Sequence, residues 1–167
     1  MNEEAGATIQ DAGTAPARPR TAREGTAERL QRLPTRLLSL AALRSDRLVT
    51  EALARVDARK WHYAVLATLE QFGAASQAQL SDRTRIYSSD LVSVLNELAD
   101  GGFVERGPDP ADRRRNVVSL TAAGKRRLRK LDRVVAAVQD DVFGPLDATQ
   151  RGQLARLLTV LVDSEGA

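Results

Sequence analysis

Cysteine is absent from the 167 residues, which excludes disulfides, thiolate metal sites, thiol nucleophiles and thiol-based redox sensing together. Histidine occurs once, at His62, too few to anchor a His-rich metal site or a metal-dependent hydrolase. No glycine-rich phosphate loop and no nucleophile–base pair can be found, so neither an enzyme nor a cofactor is expected. Apolar runs never approach the roughly 18 residues a membrane span requires. The N-terminus lacks a basic segment followed by an apolar one, which makes the cytoplasm the expected compartment. What remains is an ordinary globular composition, 43% hydrophobic and 28% charged, long enough for one domain with a core.

Charge is more informative by position than by total. Residues 111–130 contain eight basic side chains and one acid, a net of +7, whereas the whole chain carries only +3. One short stretch therefore holds the entire excess, on a background that sums to −4. A concentrated basic stripe of this kind is the footprint of a polyanion partner.

Residues 1–27 are rich in Ala, Gly, Thr and Pro and read as a disordered tail, with Arg18, Arg20 and Arg23 available to a phosphate backbone. From Glu28 to about Ala58 the spacing is helical, with Pro34 admissible near a first turn or as a kink. Leu38, Ala41, Ala42, Leu48, Val49, Ala52 and Val56 form one apolar stripe there, and Leu33, Leu37, Leu40 and Leu43 form another. Two apolar faces need cover on both sides, from the chain's own domain and from a partner subunit. A helix from Lys60 to Phe72 carries Trp61, Val65, Leu69 and Phe72 on one face and stops at Gly73. Ser76 with Gln79 makes a capping box that opens a short helix through Arg83. Thr84-Arg85-Ile86-Tyr87 is the expected turn, and a further helix from Ser88 turns Leu91, Leu95 and Leu98 inward until Gly101-Gly102.

The period then switches. Phe103–Arg106 and Asn116–Leu120 read as two strands of a hairpin, with Gly107-Pro108-Asp109-Pro110 as turn chemistry that should not continue a ladder. Thr121 caps a long helix whose Leu128, Leu131, Val135, Val138 and Val142 make a packed seam. Gly144-Pro145 breaks it. Asp147 and Gln150 cap a last helix with Leu154, Leu157, Leu158 and Leu161 on one face. The seam and the last face suit either a dimer interface or packing within one chain.

Two short helices joined by a tight turn, then a hairpin with a basic tip, spell a mainly α fold with a small β-hairpin: a winged helix-turn-helix flanked by N- and C-terminal helices. Such a module lays one helix across the DNA backbone and inserts the second into the major groove amino end first. The hairpin reaches the neighbouring minor groove, whose negative potential attracts Arg. In this chain helix 76–83 positions, Ser88, Ser89, Asp90 and Ser93 form the exposed polar set of the reading helix, and Arg83 and Arg85 are phosphate contacts. Asp112, Arg113, Arg114 and Arg115 lie on the wing.

Phe103-Val104-Glu105-Arg106, then Asp109-Pro110-Ala111-Asp112-Arg113-Arg114-Arg115, then Leu120-Thr121-Ala122-Ala123-Gly124 resemble the wing signature of the MarR family of bacterial transcription regulators. The resemblance covers roughly residues 34–163. It implies a homodimer with interlocking terminal helices, residues 28–58 and 121–167, and a DNA-binding domain over 59–120. It further implies a near-palindromic double-stranded operator, and repression relieved by a small non-covalent ligand. Carried onto this chain, Asp112 orients Arg114 and Arg114 enters the minor groove, while Arg113 and Arg115 contact phosphate.

The reading helix departs from the family's commonest pattern, with Val92 and Ser93 where a Thr or Ser and an Arg are usual. Direct readout is therefore expected to be modest, with heavier reliance on Arg contacts and DNA shape. Lys125, Arg126, Arg127, Arg129 and Lys130 form either a solvated helix face or a further backbone contact. Trp61, His62 and Tyr63 open the helix where the resemblance puts one wall of an effector pocket, suited to a small aromatic ligand; plain core is the other reading of Trp61. The rival to a DNA-binding regulator is a winged-helix protein-interaction module, motivated by Val92 and Ser93.

Overall fold

A computed structural model describes residues 26–109 and 116–164. The chain falls into two compact units, residues 1–40 and 41–167. In the first, α1 (Glu28–Gln31) is a single turn, and α2 (Pro34–Ala54) begins on Pro34. The proline thus occupies the first helical position, where its missing N–H is no loss, and the expected continuous helix is two helices parted at Arg32 and Leu33. Leu30, Leu33, Leu37, Leu38 and Leu40 of this unit are all exposed.

The second unit contains the rest of α2 and everything after it. It comprises α3 (Lys60–Phe72), α4 (Gln77–Thr84), α5 (Ser88–Asp100), β1 (Val104–Pro108), β2 (Asn116–Leu120), α6 (Ala122–Phe143) and α7 (Ala148–Asp163). α3 packs against α4, α5, β2 and α6, so it is the central helix of the unit. Its Val65, Leu66 and Leu69 join Leu53, Leu80, Leu91, Leu95, Leu98, Leu128 and Leu131 in one core. Trp61 and Phe72, the two ends of the expected α3 stripe, remain partly exposed, and Leu66 takes the buried place between them.

The hairpin pairs β1 and β2 antiparallel with Val104 opposite Leu120 and Pro108 opposite Asn116. β1 therefore runs through Gly107 and Pro108, two residues beyond the expected end. A proline is admitted there because it is the last residue of an edge strand, where a missing donor breaks no inner ladder. On its other side β2 is bridged by Ala75, whose amide donates to the Val118 carbonyl at 3.0 Å and whose carbonyl accepts the Val118 amide at 2.8 Å. The hairpin is thereby bonded to the residue that precedes the Ser76 N-cap of α4.

Thr121 caps α6 as expected: its hydroxyl accepts the Gly124 amide at 2.9 Å and donates to the Gly102 carbonyl at 2.8 Å. The helix start sits so close to the strand entry that a β-carbon on Gly124 would lie 2.0 Å from the Phe103 carbonyl oxygen. Leu128 and Leu131 of the α6 seam are fully buried in the chain's own core, so this part of the seam packs intramolecularly. α7 buries no residue, and Leu157, Val160, Leu161 and Val162 are exposed along it. No helix among the described residues is long and apolar enough to cross a membrane.

Candidate nucleic-acid interface

α4 and α5 are joined by a turn that needs two special features. Arg85 adopts the left-handed conformation with φ 54°, ending α4 abruptly. Ile86 is buried and anchors the turn, while its carbonyl accepts the Ser81 hydroxyl at 2.7 Å. α4 itself opens with the expected Ser76–Gln79 capping box. The N-cap of α5 is Tyr87, which offers no side-chain cap. Ser88 is the first helical residue, so its hydroxyl is not taken up as the helix cap.

α5 divides cleanly by face. Leu91, Val94, Leu95 and Leu98 are buried, and Ser88, Ser89, Asp90, Val92 and Ser93 are exposed. Gln77 Nε2 approaches the Ser88 hydroxyl at 3.4 Å, Ser93 donates to Glu97 Oε1 at 3.1 Å, and Arg106 of β1 donates to Asn96 Oδ1 at 2.7 Å. The exposed face is thus tethered to α4, along itself and to the hairpin. Arg83 and Arg85 are both exposed beside it, Arg83 lying 4.6 Å over the Phe72 ring. Asp112, Arg113, Arg114 and Arg115 lie outside the described residues, as do Arg18, Arg20 and Arg23 of the N-terminal segment. The strand ends Pro108 and Asn116 face each other as the last pair of the ladder.

Several residues of the site escaped sequence reading. Glu97 of α5 is bonded by Arg59 at the N-cap of α3 and by His62 Nε2 at 2.9 Å. His62 Nδ1 in turn accepts the Arg59 amide at 3.2 Å, completing a capping box for α3. A carboxylate joined to two partners 35 and more residues away leaves no mark in local sequence beyond its i, i+4 spacing from Ser93. Desolvation pushes the Glu97 carboxyl up, yet the hydrogen bonds from Arg59, His62 and Ser93 outweigh it and hold the group below its ordinary value. Tyr87 is the other omission, an aromatic ring 81% exposed at the N-cap of α5.

The aromatic trio at the start of α3 is divided among different neighbours. His62 is committed to Arg59 and Glu97, and Tyr63 donates its hydroxyl to Asp132 at 3.1 Å. Burial, reinforced by that acceptor, raises the Tyr63 phenol above its usual range. Trp61 faces a groove of about 240 Å³, which it lines with Arg59, Asp90, Ser93 and Val94. Within the α6 basic cluster Arg127 is set apart: it donates to the Val56 carbonyl and, at 2.8 Å, to the Asp57 carbonyl, while Lys125, Arg126, Arg129 and Lys130 are exposed. No cluster of metal-binding side chains occurs among the described residues.

The model of the MarR family matches residues 56–115. The chain is 30% identical over 129 residues to an uncharacterised HTH-type transcriptional regulator of Mycobacterium bovis, covering 75% of this chain and 90% of that protein. It is 28% identical over 103 residues to the HTH-type transcriptional repressor NicR of Pseudomonas putida, where the match spans 62% of this chain and a little under two thirds, 65%, of the relative. Among solved structures, BpsR of Bordetella bronchiseptica, described for regulation of its DNA binding by 6-hydroxynicotinic acid, superposes with a TM-score of 0.72. That likeness covers 80% of this chain and 95% of the other at 23% identity, and it speaks to the fold.

Proposed function

The chain belongs to the MarR family, and from that premise we propose that it is a homodimeric, sequence-specific DNA-binding repressor released by a small non-covalent ligand. The observation that carries this reading is the division of α5. Its apolar residues are all turned into the core except Val92, and Ser88, Ser89, Asp90 and Ser93 are displayed on a helix whose first turn is open to solvent. Arg83 and Arg85 supply phosphate contacts next to it. On the wing, Asp112 pre-sets Arg114 for the minor groove, with Arg113 and Arg115 on phosphate.

Residues 28–58 and residues 121–167 each offer apolar surface to a second copy, and residues 59–120 form the DNA-binding domain. The exposed leucines of α1 and α2 and the exposed face of α7 support the dimer, because aliphatic rows of this extent are unusual on a monomer. The Trp61 groove is the effector site: a small aromatic ligand there touches Asp90 and Ser93 of the reading helix directly, so its binding and DNA binding are coupled. The regulation of BpsR by 6-hydroxynicotinic acid supports that ligand class. His62 holds Arg59, one wall of this groove, while Tyr63 is held by Asp132.

The test is a titration of fluorescent duplexes tiled across the DNA adjoining the gene, at several salt concentrations. Binding should weaken with a log–log slope of about −0.9 per neutralised phosphate. Arg114→Ala should lose ~1–3 kcal/mol of specific affinity. Unchanged affinity in that variant overturns the wing assignment, and no duplex binding at physiological salt leaves the protein-interaction module as the reading.

A further inference from the structure

α5 displays one large apolar side chain, Val92, 42% exposed. It lies four residues after Ser88 and four before Asn96, on the same outward strip. Three polar members of that face are engaged within the chain, Ser88 with Gln77, Ser93 with Glu97 and Asn96 with Arg106, and Ser89 beside them offers only a hydroxyl. No basic side chain stands on α5, so the bidentate contact to guanine that Arg or Lys makes cannot come from this helix. Serine hydroxyls donate or accept and discriminate poorly between base edges. The strip therefore lacks a polar element of high selectivity, and Val92 is its least ambiguous chemical feature.

We infer that Val92 is a specificity-determining residue that packs against the 5-methyl group of a thymine in the major groove. The inference rests on the DNA-binding reading above and names what the reading helix selects. Thymine's methyl is the one apolar group on the major-groove edge of the four base pairs. A valine is stiff at χ1 in a helix, so its two methyls are held in place before contact and little rotamer entropy is lost. Opposite cytosine or a purine the same methyls cover N4, N6 or N7 without bonding them, which costs free energy. Attraction to one base and a penalty on the others come from a single side chain.

The experiment begins with the full chain selecting a duplex from a random-sequence DNA library, after which each thymine in the selected duplex is replaced singly by deoxyuridine. That change deletes one methyl and leaves every donor and acceptor in place. The expected result is that one thymine per half-site costs the unaltered protein about fourfold in affinity, the worth of one buried methyl. Val92→Ser, an exposed substitution whose folding is checked by its melting curve, should bind the thymine and deoxyuridine duplexes equally. The inference is overturned if no deoxyuridine position weakens binding, or if Val92→Ser keeps the full discrimination. Should selection enrich no duplex at all, the DNA-binding reading itself fails, an outcome distinct from either of those.

Discussion

His62 Nε2 donates to Glu97 Oε2 at 2.9 Å, so the first turn of α3 is fastened to the solvent face of α5 by a neutral imidazole. Its Nδ1 accepts the Arg59 amide and must be unprotonated for that bond to exist. Burial lowers the His62 pKa from 6.5 despite the opposing Glu97 carboxylate, and the charges of Arg59 and Arg127 add to the lowering. Below pH 6.5 the unfolded chain consequently binds more protons at this position than the folded one does. The stability contribution is present above about 6.5 and is lost as pH falls through the lower folded value. The thermal midpoint should therefore drop more steeply between about pH 7 and pH 5 in the unaltered protein than in His62→Gln. Parallel curves for the two proteins would refute a titrating clasp.

Gly124 shows why the helix start after the wing needs a glycine. A β-carbon there would meet backbone, 2.0 Å from the Phe103 carbonyl oxygen, and backbone cannot swing aside as a side chain can. Gly124→Ala should cost ~1–3 kcal/mol or more by overpacking, read from urea unfolding midpoints. Gly107 is the control, since a β-carbon on it meets nothing within 4 Å and its replacement by Ala should be nearly neutral. Equal midpoint losses for both variants would contradict the close approach.

What local sequence foretold and what it did not divide along physical lines. The Ser76–Gln79 and Asp147–Gln150 capping boxes and the Thr121 cap were legible because both partners lie within one turn of helix. The inward residues Leu91, Leu95 and Leu98 followed from period alone. Pro108 misled because turn propensity is local, while its pairing with Asn116 depends on a strand beyond the turn. The Ala75–Val118 bridge and the Arg59–Glu97–His62 cluster join residues far apart in the chain, so spacing rules could not announce them.

Arg127 separates stabilising from solvent-exposed charge on α6. Its guanidinium satisfies the Val56 and Asp57 carbonyls left open just beyond the end of α2, and stands 5.3 Å over the Phe103 ring. Arg127→Met should lower stability by ~1.5–3 kcal/mol, the usual range for hydrogen bonds from a charged donor. Arg126→Met, on the exposed side of the same turn, should leave stability within ~0.5 kcal/mol. Chemical denaturation of the two variants decides it; a larger loss at Arg126 would reverse the assignment.

The two C-terminal helices make opposite uses of leucine, and this distinguishes folding from assembly. Leu131 of α6 is wholly inaccessible inside its own chain, so Leu131→Asp places a carboxylate in the core and should unfold the protein. Leu161 of α7 is 56% exposed and touches no core, so Leu161→Asp should retain helical content by circular dichroism. If α7 is the surface shared with a second copy, the same variant should sediment as a monomer and bind operator more weakly, because one copy engages only one half-site. A Leu161→Asp protein that sediments as the dimer and keeps full DNA affinity would remove α7 from the interface. A Leu131→Asp protein that stays folded but becomes monomeric would return the α6 seam to it.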